Sequence, residues 1–176
     1  LPEGYRYQVL GAWGDRLGDS RFGYNNDYLS FVETAPNQGY LAMNFEYISA
    51  VPWIQSYEAV LKKKLPFEAV QTAVKSAGKK GIDAFAMAEG DPVKAQIQQI
   101  VQEALIDQGM GVMGLRKTPQ GKWERTNSKA DRRITGISGL TDGRYLACTG
   151  PAKTVFRKAK GQGYIDGLGD RIIGTF

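Results

Sequence analysis

Histidine is absent from the 176 residues, which excludes histidine general bases, Ser-His-Asp triads and the usual histidine-containing zinc sets. The single cysteine, Cys148, excludes an internal disulfide and says little about compartment. No apolar run approaches the roughly eighteen residues that a membrane-spanning helix needs. The opening LPEGYRYQ has neither the basic start nor the apolar centre of a signal peptide, and no methionine begins it. A processed, trimmed or partial chain is therefore expected. Without histidine, a bound metal must rely on oxygen ligands, with Cys148 at most a soft addition. Such sites favour calcium, magnesium or manganese, and ferric iron also accepts carboxylates.

What is present suits one folded domain. Apolar residues make up 42%, and glycine is the outlier at 22 residues. Glycine weakens helix interiors, so this abundance points to turns, bulges and close backbone approaches. Charge is uneven. Residues 1–56 hold three basic and six acidic side chains, 57–115 seven of each, and 116–176 thirteen basic and five acidic. The net +5 is thus a property of the last third.

Three textures follow in order. YRYQVLGAW, DYLSFVE and GYLAMNFEYI read as strands, with a PNQG turn at Pro36–Gly39. SYEAVLKKK reads as a short helix ended at the Leu65–Pro66 step, and PFEAVQTAVKSAG as a second ending at Gly78. The clearest helix is predicted at 92–107. Asp91 is its N-cap, and Val93, Ile97, Ile100, Val101, Ala104 and Leu105 form one apolar stripe. MGVMGLRKTPQGKWERT reads as a hairpin turning at Pro119–Gly121, with RRITGISG, RYLACTG and RIIGTF as shorter strands. This repeated strand–turn–strand texture favours a propeller or barrel over a parallel α/β sheet.

Several stretches carry candidate chemistry. GMGVMG at 109–114 has dinucleotide-loop spacing, but a helix precedes it and a strand follows, so no helix N-terminus faces a pyrophosphate. A C-cap at Gly109 with a tight entry into a strand is the plainer reading. Arg132, Arg133, Arg144, Lys153, Arg157, Lys158 and Lys160 make the C-terminal part electropositive. They are scattered over turns rather than aligned on a recognition helix or an aromatic platform. A solvated surface or a phosphate-attracting field is expected, and no nucleic-acid partner. Cys148, in YLACTGPAK, reads as a small core residue, with a ligand role second.

Asn25, Asn26 and Asp27 in FGYNNDY either form an ordinary turn or line a polar site. Glu46 stands in NFEYI among large apolar groups. Facing inward it needs a cation, an arginine or several donors; facing outward it needs nothing.

RFGYNNDY, NFEY, GKWERTN…RRITG, TGPA and the terminal IIGTF, in this order, resemble the PhoX-type alkaline phosphatase family. The resemblance implies an exported, periplasmic or extracellular phosphomonoesterase with a β-propeller body and a ferric and calcium centre. It also implies a mainly β fold: a partial β-propeller with an α-helical insertion at about 57–108. The family's NHEY motif matches Asn44 to Tyr47, with Phe45 where histidine is expected. The carboxylate carried over is Glu46, implied as a metal ligand. Asn25, Asn26 and Asp27 are implied near the same pocket, as donors to phosphate, ligand-orienting groups or a metal-binding carboxylate. Arg132 and Arg133 are implied as added phosphate attraction or surface charge. The Asn-Cys segment, the Thr-Pro-Trp-Gly-Thr run and the paired glutamates that follow IIGTF in the family would lie beyond Phe176. Residues 1–176 are therefore expected to be the N-terminal portion of a larger phosphatase domain. The remaining polypeptide or a complementary fragment is its expected partner, and phosphate monoesters are its expected ligands. The rival reading is a non-catalytic propeller-like protein that has lost the metal site.

Overall fold

The computed structural model describes residues 1–138. A small ribbon of β1 (Arg16–Leu17) and β2 (Ser20–Arg21) comes first. A hairpin follows, made of β3 (Asn26–Ala35) and β4 (Gln38–Phe45), turning where PNQG predicts, with Asn37 at φ 60°. The other edge of β4 pairs antiparallel with β5 (Gly109–Lys117). The far edge of β5 is shared end to end by β6 (Trp123–Arg125) and β7 (Arg132–Thr135). The β5–β6 hairpin forms as expected around Pro119–Gly121.

Between the two hairpins lie α1 (Ala50–Leu61), α2 (Phe67–Ala77) and α3 (Pro92–Asp107), with a 3-10 turn at Gly78–Lys80. The α3 boundary matches the sequence. The Asp91 side chain accepts from the Val93 N–H at 2.7 Å and the Lys94 N–H at 3.3 Å, satisfying donors that the first helical turn leaves open. Helix α1 starts before position 57 and ends at Leu61, its C-cap Lys62 standing in the left-handed region at φ 54°, ahead of the Leu65–Pro66 step.

The expected partial β-propeller is not what forms. Among the described residues the fold is mixed α/β with antiparallel sheets, and no sheet closes into a propeller or barrel. Two features of the chain account for the difference. YRYQVLGAW has strand composition, yet residues 5–13 form no strand, and Tyr5, Tyr7 and Val9 stay exposed. Several glycines serve close packing rather than repeated blade turns. A Cβ on Gly111 would sit 2.8 Å from Leu17 Cδ2 and 2.9 Å from Phe45 Cε2, so its absence lets β5 meet that pair.

The core lies on one face of the sheet, where Leu17, Phe22, Met43, Phe45, Met113 and Leu115 are buried together. Phe22 and Phe45 meet edge to face with centroids 4.9 Å apart. The apolar stripe predicted for α3 does not describe its buried face. Val101 is 47% exposed, while Lys94, Glu103 and Asp107 are buried. Burial of charge on a helix demands partners, and these fix how α1 and α3 sit against the sheet.

Candidate active site

The β3–β4 hairpin brings FGYNNDY against NFEY. Asn26 opposes Phe45, and the Glu46 N–H donates to the Asn25 carbonyl at 3.0 Å, extending the ladder past the strand ends. Between Asn26 and Leu29 the register slips, so Asp27 and Tyr28 together oppose Asn44. That β-bulge explains the imperfect alternation of DYLSFVE and re-aims the side chains at this end of the hairpin. Asn26 and Asp27 are exposed there, Asn25 is half-buried and so is Glu46.

Asn25 has a specific mechanical task. At φ 47° it adopts a conformation that asparagine tolerates better than most residues. Its side-chain amide donates to the Tyr47 carbonyl at 3.1 Å and to Ser49 Oγ at 2.9 Å. Ser49 is the N-cap residue of α1, so Asn25 ties the hairpin end to that helix. The Glu46 carbonyl in turn accepts from Gln108 Nε2 at 3.0 Å, which joins the same strand end to the α3–β5 junction.

Asn44 is the residue that sequence reasoning left without a role. It is buried, and its Oδ1 has no hydrogen-bond partner. Alternation along a strand puts Asn44 and Glu46 on one side of the chain and Phe45 on the other, in the core. The available signal was a polar residue between the large apolar Met43 and Phe45. An unsatisfied buried acceptor oxygen is of the kind that calcium and ferric iron accept, and the Glu46 carboxylate follows two residues further on. Among the described residues no group of three or more His, Cys, Asp or Glu side chains could hold a metal ion.

Behind this end of the hairpin lies a buried polar network. Arg21 Nε donates to Asp107 Oδ1 at 2.6 Å and Arg21 Nη1 to Glu103 Oε2 at 3.0 Å. Trp53 Nε1 reaches Asp107 Oδ2 at 2.8 Å, Tyr57 OH reaches Glu103 Oε2 at 2.7 Å, and Lys63 pairs with Glu103 Oε1. Burial alone raises the Glu103 pKa, but hydrogen bonds from Lys63, Tyr57 and Arg21 outweigh it and hold the carboxyl below its ordinary range. Burial, then the hydrogen bond to Glu103, pushes the Tyr57 phenol up. The Asp107 carbonyl accepts the Tyr24 N–H at 2.9 Å, so the network anchors the FGYNNDY loop directly. Nothing local in the sequence pairs Arg21 with residues more than eighty positions away.

Of the two arginines implied as phosphate attraction, Arg132 is exposed on β7 and Arg133 is buried. Arg133 donates to the carbonyls of Arg21, Ile106, Gln108 and Met110 at 2.7 to 3.0 Å. Its guanidinium lies 4.4 Å from the Phe45 ring centroid. It is a clamp between β2, α3 and β5. Cys148 and the cations Arg144, Lys153, Arg157, Lys158 and Lys160 lie outside the described residues. No helix among the described residues is long and apolar enough to cross a membrane.

Comparison with curated proteins gave no match. Among solved structures, the chain is similar to Pseudomonas fluorescens PhoX in complex with vanadate, a transition state analogue. The identity is 24% over 77% of this chain, with a TM-score of 0.46. The chain spans about a fifth of that one, at 21% of its length. The family model described as alkaline phosphatase PhoX matches residues 1–176. The chain belongs to the alkaline phosphatase PhoX family.

Proposed function

We propose that the protein containing this chain is an exported, metal-dependent phosphomonoesterase. Residues 1–176 would be the N-terminal portion of its phosphatase domain and supply one wall of the site. The observation that carries this reading is the family match over the whole chain. Within the chain it is supported by the meeting of Glu46 with the Asn25 turn beside the unpartnered Asn44 Oδ1.

Glu46 and Asn44 are the residues here that would hold calcium or ferric iron, with the remaining ligands supplied by other chain. Bound metal supplies positive charge against the phosphate oxygens as the ester bond breaks. Asn25 acts by positioning, because its amide is committed to Tyr47 and Ser49. Asn26 and Asp27, exposed beside the bulge, are the groups placed to meet phosphate or a further ligand.

The rival reading, a relative that has lost its metal site, draws on Phe45 standing where the family motif has histidine. Phe45 is fully buried against Phe22 and beneath the Arg133 guanidinium. Its side chain serves the core, on the opposite side of the strand from Glu46, so the replacement takes nothing from the carboxylate's side.

The test is hydrolysis of p-nitrophenyl phosphate by the full-length protein, together with element analysis for calcium and iron. Metal content and chelator-sensitive turnover that both fall in Glu46→Gln support the proposal. A well-folded full-length protein with neither metal nor turnover sinks it.

A further inference from the structure

Helix α3 carries apolar surface that the sheet does not use. Ile97, Val101 and Leu105 recur every four residues and line one trough of about 440 Å³, walled by Phe85 and Ile137. Val101 is 47% exposed and Phe85 91%, so this surface is open to water. Part of the stripe that periodicity marked as core therefore faces a solvent-open trough.

Lys94 lines the same trough three residues before Ile97, in the first turn of α3, and is the one charged residue among those that line it. Its side chain is 11% exposed, and a cation buried to that degree demands acceptors. Nζ donates to the Met87 carbonyl at 3.1 Å and pairs with the Glu89 carboxylate. An ammonium has three donors, so one has no partner among the described residues. The Glu89 side chain is 89% exposed, and a pair with so exposed a partner is readily exchanged. Asp91 does not compete for the ammonium. Its carboxylate accepts from the N–H groups of Val93 and Lys94.

A cation at one end and apolar groups along the rest match an amphiphile with a single anionic head. The Glu89 contact shows that a carboxylate fits against Lys94. A helix rises about 1.5 Å per residue, so Lys94 and Leu105 stand about 16 Å apart along the axis, the span of about twelve extended chain carbons. Burial of the methylenes supplies the affinity and the charge fixes the orientation. We propose that this trough binds a fatty carboxylate of about ten to twelve carbons, its head at Lys94 in place of Glu89 and its tail along Ile97, Val101 and Leu105. The site lies away from the Asn25–Glu46 corner and does not rest on the phosphatase reading.

The test is calorimetric titration of the full-length protein with decanoate, below the concentration at which it forms micelles. Saturable binding of one decanoate is expected, with hexanoate weaker by about tenfold because four methylenes are missing from a half-open trough. Val101→Glu should weaken decanoate about tenfold, and Glu89→Gln should tighten it severalfold by removing the competing carboxylate. Wild type should bind decanoate more tightly than uncharged decanol, and Lys94→Met should abolish that preference. Lys94 is buried, so the half-exposed Val101→Glu keeps the test decisive where Lys94→Met fails to fold. No saturable binding, equal affinity for hexanoate, or unchanged affinity in Val101→Glu overturns the proposal. Decanol binding wild type as tightly as decanoate overturns it too. So does a wild-type dimer that Val101→Glu dissociates, which would assign the trough to a second copy of the chain. Binding unchanged in Glu46→Gln, whatever that variant does to turnover, keeps this site distinct from the metal-directed corner.

Discussion

The backbone N–H of Glu46 donates to the carbonyl of Asn25 at 3.0 Å, joining the two polar stretches of the first fifty residues at the open end of one hairpin. Each partner is held again from another direction. The Asn25 amide reaches Tyr47 and Ser49, and the Glu46 carbonyl accepts from Gln108. Three elements thus converge on one strand end.

Asn25 combines a positive φ with two side-chain hydrogen bonds. Asn25→Gly keeps the backbone freedom and loses the bonds; Asn25→Ala loses both. Denaturant unfolding should show Asn25→Ala less stable than wild type by about 1–3 kcal/mol, with Asn25→Gly in between. Equal stability of all three would remove Asn25 as a positioning residue.

Gly23 sits within the same motif, buried against the α3 terminus and Phe45. A Cβ there would lie 2.5 Å from Phe45 Cγ and collide with the Asp107 carbonyl. A backbone carbonyl cannot move aside as a flexible side chain can. Gly23→Ala should destabilise by about 1–3 kcal/mol, read as a lower unfolding midpoint.

The Asn44 Oδ1 is a buried acceptor without a partner. Asn44→Leu keeps the approximate size and deletes the unmet group. The metal-free protein should become more stable by about 1–3 kcal/mol, while calcium and iron content falls. A variant that is stabilised but retains full metal content would leave Asn44 with no part in the metal site.

Glu103 sits at the centre of the buried network, with its pKa held below the ordinary carboxylate value of 4.5. A depressed folded-state pKa means the contribution to stability is complete above the unfolded-state value. It is lost as pH falls through the folded-state value. Unfolding measured at pH 7 and at successive steps below pH 4.5 should show a wild-type loss that Glu103→Gln lacks. At pH 7 the same variant should cost about 1–3 kcal/mol, because Lys63 is half exposed and Arg21 keeps its bond to Asp107 when Glu103 loses its charge.

Purified residues 1–176 should show no phosphatase turnover, since among the described residues no group of three or more His, Cys, Asp or Glu side chains could hold a metal ion. Steady metal-dependent hydrolysis by that piece alone would place the whole reaction within it and overturn the shared-site reading.

Local chemistry was readable without a structure. Asp91 and Pro92 announce α3 because the cap and the first-turn ring act within one turn, and the helix runs over the predicted residues. The Pro36–Gly39 and Pro119–Gly121 turns form for the same reason, each dictated by neighbours in sequence. The pairing of FGYNNDY with NFEY was partly legible, since a short turn between two strands brings their far ends together.

The rest depended on distance along the chain. Periodicity marked Val101 as buried, but tertiary contacts put Glu103 and Asp107 inward to meet Arg21, and no local pattern encodes that partner. Arg133 read as phosphate attraction or surface charge and became a clamp on five backbone carbonyls, because a guanidinium with enough acceptors can be buried. The propeller expectation failed because strand composition does not say which edges find partners or whether a sheet closes. By itself the sequence determined caps, turns and family. Only the tertiary structure decided which face of each element is inside, because burial is settled by contacts between residues far apart in the chain.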